Sequence, residues 1–174
     1  MLAVSVKADV RAAVRKLGQV DRDIDICAQR AINSALRTGN KVNRQIVSRF
    51  NNIPQKDIKH LFRTISASKA NLTGFLIGMG RAMGIDKNKS VRVNKKEQVV
   101  RFRAGGKVRH VSNAWQSPKN ENKYYRRKEG QEPKGLSLPS VPQHMMRNLK
   151  LLQTTLLERF GEEFLRQINR AIKR

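Results

Sequence analysis

The side chains best equipped for chemistry in this sequence are cationic, and they gather in its middle. Arg101 and Arg103 alternate with Val100 and Phe102, Lys107 and Arg109 follow Gly105-Gly106, and Tyr124-Tyr125-Arg126-Arg127-Lys128 comes soon after. A guanidinium presents a planar fork of N–H donors that matches phosphate or carboxylate, whereas an ammonium acts as a point charge. The chemistry on offer is therefore anion recognition. Tyr124 and Tyr125 have ring faces that stack on nucleobases, but beside three cations they read better as anchors on a neighbour. A single basic side chain is ordinarily solvated surface, so the weight falls on the clusters and not on any one lysine.

Other chemistries find no residue set. His60, His110 and His144 are far apart and lack the paired Cys or Glu spacing of a zinc site. Cys27 sits on the apolar side of a helical pattern with no partner for nucleophilic work, so it reads as a small core residue. The acids are dispersed apart from Glu162-Glu163, and no acid–base dyad or metal cluster emerges. Gly78-x-Gly80-x-x-x-Gly84 departs from the dinucleotide fingerprint, and Asp86-Lys87-Asn88 stands where a helix should begin. A flexible strand edge is the better reading. The expectation is no enzyme, and no cofactor, metal or nucleotide.

The cations need elements to hold them. Residues 99–103 and 107–111 flank Gly105-Gly106, where both turn residues tolerate φ > 0, and this predicts a β-hairpin. Alternation puts Val100 and Phe102 on one side and Arg101 and Arg103 on the other. Val91-Arg92-Val93 predicts a brief strand, residues 62–68 and 72–79 a strand pair, and Leu2, Val4 and Val6 an initial strand. From an N-cap at Asp9, Val10, Val14 and Leu17 begin a three-four rhythm that continues through Ile24, Ala28, Ala31, Ala35, Val42 and Ile46. It predicts a long helix, bent near Gly18 and Asp21 and ended by Asn51-Asn52. Pro54 and Asp57 predict a short helix over 54–60. Residues 112–135 read as a polar loop, functional or disordered until bound. Pro139 and Pro142 lead into a final helix over 143–173, apolar along Met145, Leu149, Leu152, Leu156, Phe160, Phe164, Ile168 and Ile172. Arg166, Arg170, Lys173 and Arg174 complement its dipole. The predicted fold class is α+β: two long helices packed with a small, mainly antiparallel β-sheet carrying a long loop excursion.

The totals agree. A chain of 174 residues suits one domain. It divides into a strand and long helix (1–50), a short helix and sheet (51–111), a polar excursion (112–142) and a C-terminal helix (143–174). The hydrophobic fraction of 39% supports a core, while 5% aromatics leave no large stacking platform. A net charge of +24 disfavours an isolated compact monomer and favours an acidic partner: nucleic acid, an acidic protein or an anionic membrane. A lone cysteine excludes an internal disulfide and suits a reducing compartment. The first residues show no signal-peptide pattern, and the apolar run 72–80 is shorter than the about 20 residues a membrane span needs. The expectation is a soluble chain.

With these motifs in order, the chain resembles the minor tail protein Z family of tailed bacteriophages, the tail completion proteins. Ala28-Gln29-Arg30-Ala31-Ile32-Asn33-Ser34-Ala35 is similar to the family's A-L-N helix, and Asn52-Ile53-Pro54-Gln55-Lys56-Asp57-Ile58 to its G-I-x-x-K-x-I turn. Val100-Arg101-Phe102-Arg103-Ala104, Lys107-Val108 and Ala114-Trp115 match its strand, hairpin and aromatic. Tyr125-Arg126-Arg127-Lys128-Glu129-Gly130, leading to Leu138-Pro139-Ser140-Val141-Pro142-Gln143, resembles its close. The likeness covers roughly residues 25–145 and rests on order and spacing.

The resemblance implies a structural virion protein that completes the head-proximal end of the tail and enables head–tail joining. It implies a ring-like homo-oligomer, a hexamer, around the DNA channel, with other tail and neck proteins as partners, non-specific contact with genomic DNA and no membrane. Synthesis and assembly would take place in the bacterial host cytoplasm. On that footing Tyr124, Tyr125, Arg126, Arg127 and Lys128 contact a subunit or partner. Arg101, Arg103, Lys107 and Arg109 contact the DNA channel or an acidic partner. The alternative is a free-standing basic nucleic-acid-binding protein, although no helix-turn-helix, zinc finger or aromatic RNA-binding motif is visible.

Overall fold

The computed structural model describes residues 2–7, 24–120 and 123–172. The expected helix start at Asp9, with Val10, Val14, Leu17, Gly18 and Asp21, lies outside the described residues, as do Lys173 and Arg174. In chain order come β1 (Leu2–Lys7), the long helix α1 (Ile24–Asn51), the short helix α2 (Gln55–Ile58) and a 3-10 turn, Lys59–Leu61. Next are β2 (Phe62–Ile65), β3 (Thr73–Gly78), β4 (Met83–Gly84) and a second 3-10 turn, Ile85–Lys87. β5 (Arg92–Asn94), β6 (Val99–Ala104), β7 (Lys107–Val111), β8 (Ala114–Gln116) and β9 (Tyr124–Arg126) follow. The chain continues through β10 (Lys134–Gly135), β11 (Ser137–Leu138), α3 (Val141–Arg147) and α4 (Leu149–Ile172). The fold is α+β, two long helices with small antiparallel sheets.

The backbone divides into two compact units, each built from separated stretches. One comprises Met1–Asn43, Phe62–Met79 and Met145–Arg174; the other comprises Arg44–Leu61 and Gly80–His144. Helix α1 contributes residues to both.

In the first unit an antiparallel sheet runs β1-β3-β2, with Leu2 and Phe62 both opposite Gly78. Cys27, Ala28, Ala31, Ile32, Ala35 and Leu36 are buried at helical spacing on α1, because one stripe of a 3.6-residue helix faces the core. Leu152, Leu156 and Ile168 are the buried counterparts on α4. Ile24, Cys27, Ala28 and Ile168 form one cluster, with Phe160 and Phe164 half-buried against it. The helices approach closely at Gly39, where an added Cβ would stand 2.6 Å from Leu156 Cδ2. Asn33 clamps the β2–β3 connection to α1: its amide donates to Ala67 O (3.1 Å) and its Oδ1 accepts from Ala67 N (2.8 Å).

The final helix differs from the expected 143–173. Ser140 and Gln143 form a reciprocal capping box, Ser140 N–H to Gln143 Oε1 at 2.9 Å and Gln143 N–H to Ser140 Oγ at 3.4 Å, which starts α3 at Val141. The helix is interrupted at Asn148, which separates α3 from α4. Leu149, expected on the buried face, is 37% exposed as the first residue after that interruption.

The second unit carries the strand pair β11-β4 and the three-stranded sheets β5-β6-β7 and β10-β9-β8. Ile85, Val100 and Ala114 form its buried cluster, with Phe102, Tyr124 and Leu136 packed on it. Within the expected polar loop over 112–135, three short strands pair as the antiparallel sheet β8-β9-β10. Its polar composition hides a few well-placed apolar side chains. Tyr124 packs on the buried cluster, and Trp115 stacks on Tyr125 with centroids 6.2 Å apart.

Candidate functional site

The β6–β7 hairpin positions the first basic cluster. Gly105 and Gly106 take φ of +61° and +75°, a turn that residues with a Cβ rarely adopt. The Gly105 N–H donates to Phe50 O (2.8 Å), pinning the turn to the end of α1. The register follows: Ala104 opposite Lys107, Arg103 opposite Val108, Phe102 opposite Arg109, Arg101 opposite His110. Side chains alternate faces along a strand, so Arg101 and Arg103 share one face with Val108 and His110. Lys107 and Arg109 share the other with Val100 and Phe102, although both cations are exposed. The four residues grouped by the sequence are thus divided between two faces. A two-residue turn alone dictates this division, so the signal was present in the sequence.

Arg92 joins Arg101 and Arg103. It lies directly opposite Arg101 on β5 and is exposed. Its side of the strand was readable from its place between Val91 and Val93, but its partner was not. Like charges directly opposite across strands destabilise a sheet. Among the described residues the compensation is one ion pair, Arg101 with Glu97 at 3.3 Å, in which both side chains are at least half exposed. Such a pair contributes about 0–1 kcal/mol. The face is therefore rich in unneutralised guanidinium.

What holds that face in place is a buried polar knot that the sequence did not single out. Asn88 is buried, and its amide donates to Asn51 O (2.6 Å) and Arg103 O (2.7 Å). Its Oδ1 accepts from Ser90 N (2.9 Å) and Ser90 Oγ (2.7 Å), and Ser90 Oγ in turn accepts from Arg103 N (2.7 Å). The final carbonyls of α1 have no partners within the helix. Phe50 O accepts from Gly105 N, Asn51 O from Asn88 and Asn52 O from Lys89 N (3.0 Å). Asn52 turns left-handed at φ +52°, the conformation that ends many helices. Buried His144 lies 3.2 Å from Asn51 Oδ1 through Nε2 and edge-on to Phe50. The one local hint was Asn88-x-Ser90, a side-chain-to-backbone turn pattern.

The second basic cluster lies on and beyond β9. Arg126, Arg127 and Lys128 are exposed, and none joins an ion pair among the described residues. Tyr124 and Tyr125 are half-buried and point to opposite sides of the sheet. Tyr124 serves the core, and Tyr125 the outward stack with Trp115. Two tyrosines grouped with the cations as one contact surface thus have separate jobs.

Among the described residues, no three His, Cys, Asp or Glu side chains come together as a metal site would require. His60 and His110 are exposed, and Cys27 is buried. Gly84 leads into the Ile85–Lys87 3-10 turn and not into a helix able to receive a phosphate. No helix in the described residues is long and apolar enough to cross a membrane. Comparison with protein families, curated proteins and solved structures finds no match for this chain.

Proposed function

We propose that this chain is a structural virion protein of a tailed bacteriophage, completing the head-proximal end of the tail and enabling head–tail joining as a ring around the DNA channel. The observation that supports this best is the exposed face of β5-β6-β7. There Arg92, Arg101 and Arg103 stand together with one weak carboxylate partner. A subunit carrying +24 gains stability from packing against phosphate or acidic protein. Guanidinium contacts to a DNA backbone position the duplex without reading its bases, which suits a channel through which any sequence passes. The resemblance of the motif order to that of the tail completion family supplies the biological setting. The test is imaging of virions carrying a labelled copy. The expected result is density at the head-proximal end of the tail, and its absence from purified virions refutes the proposal.

One observation favours the alternative of a free-standing nucleic-acid-binding protein. Trp115 and Tyr125 stack on the outward side of a small sheet beside cations, as in single-strand binders. Salt titrations distinguish the two. In the channel reading, duplex binding is weak and steeply salt-dependent, and Arg101→Gln with Arg103→Gln lowers the log–log slope by about 0.9 per lost contact. In the alternative, single strands bind more tightly than duplex, and Trp115→Ala weakens them most.

A further inference from the structure

We infer that the outward face of α4 receives the basic arm, residues 126–136, of a second copy of this chain, an assignment that rests on the ring proposed above. Leu151, Leu157 and Leu165 on α4 are 53%, 63% and 63% exposed. The side of a helix turned to water ordinarily carries polar residues. Leu151, Thr154, Glu158, Gly161 and Leu165 succeed one another in steps of three and four, so they line one side of the helix, with Leu157 beside them. Gly161 leaves a dip in this strip, since an added Cβ would meet nothing within 4 Å. Glu158 and Glu162 are both exposed within it. The bond from Arg159 to Glu162 (3.1 Å) is a surface pair of small worth, so Glu162 is available to a stronger partner.

Charge selects the occupant. Carboxylates between leucines repel nucleic acid and call for a basic partner with apolar stems. Asp and Glu number 13 against 37 Lys and Arg, so a second copy is itself such a partner. The arm has the matching form. Arg126, Lys128 and Lys134 rim a groove of about 200 Å³ that also holds Leu136 and a single carboxylate, Glu132. A glutamate entering it meets three cations, while their aliphatic stems cover leucine. The two surfaces differ, so the contact is heterologous: each copy offers its arm to the next and its α4 to the previous. A contact of that type closes into a ring or runs on as a filament.

The test is charge reversal with a mixed rescue. One form carries Glu158→Lys and Glu162→Lys, the other Arg126→Glu and Lys128→Glu, and sedimentation velocity follows the full chain. Wild type is expected to self-associate, and each variant alone to do so at least about tenfold more weakly, because like charges now face each other. An equimolar mixture restores association, since the reversed arm meets the reversed helix. Circular dichroism and melting show that both variants keep the wild-type fold. A mixture that stays dissociated, a variant that associates like wild type, or a wild type monomeric at every concentration overturns the assignment. Packing of α4 against α4 of another copy would leave the arm variant unaffected and is excluded by the rescue. Virion imaging reports separately. A chain that associates in this way yet is missing from the tail overturns the neck proposal alone. A chain found there whose swap fails overturns the interface alone.

Discussion

Asn88→Ala should be among the most destabilising single substitutions in the second unit. The side chain donates two hydrogen bonds, to Asn51 O and Arg103 O, and accepts two from Ser90. Asn51 is 0% exposed, so its carbonyl has no water to turn to once the amide is removed. A buried polar group left unpaired costs about 1–3 kcal/mol. Arg103 is exposed and Ser90 partly so, and water replaces their lost bonds at about 0.5–1.5 kcal/mol each. The stranded carbonyl and the three bonds to Arg103 and Ser90 together come to about 5 kcal/mol. Urea unfolding of the two proteins measures it directly. Asn88→Asp sharpens the test. It keeps the acceptors but sets a carboxylate oxygen 2.6–2.7 Å from two carbonyls, so it should destabilise at least as much at neutral pH and recover on acidification. A loss below about 1 kcal/mol for Asn88→Ala would refute the claim that this knot holds the hairpin to the end of α1.

Two further outcomes follow from the first unit. A hydrogen bond from Gln167 (2.8 Å), then one from Arg166 (2.5 Å), holds the Glu163 carboxyl below its ordinary value of 4.5 against the opposing effect of burial. A depressed folded pKa adds stability that is full above the unfolded value and is lost as pH falls through the folded one. Glu163→Gln should therefore be destabilising at neutral pH, with the difference from wild type shrinking in acid; a pH-independent difference would show that ionisation is not what matters. Phe160 is half-buried and stacked on Phe164 at 5.5 Å, so Phe160→Ala should cost about 2 kcal/mol, below the 3–5 of a fully buried ring. Thermal unfolding that matches wild type would remove Phe160 from the α1–α4 packing.

Features set by near neighbours were legible in the sequence. Gly105-Gly106 specifies the hairpin and its register because only the local backbone decides which φ values are allowed. The alanine-rich stripe of α1 and its end at Asn51-Asn52 were readable because periodicity and helix-ending chemistry act within a turn or two. The net charge of +24 is simple addition. The capping box Ser140-x-x-Gln143 was equally local and moves the helix start to Val141. Tertiary structure decided the rest. Asn51 meets Asn88, 37 positions away, and His144, 93 positions away. No window along the chain contains such a network, and its value depends on all members being buried together. The position of Arg92 opposite Arg101 needed the pairing of β5 with β6. The sheet within 112–135 formed because Tyr124 reaches a core supplied by Ile85, Val100 and Ala114. Leu151, Leu157 and Leu165 fall outside the apolar stripe read from the sequence, which does not say whether another element covers them. Their exposure was decided by which arc of α4 its neighbours cover, a property of packing and not of composition.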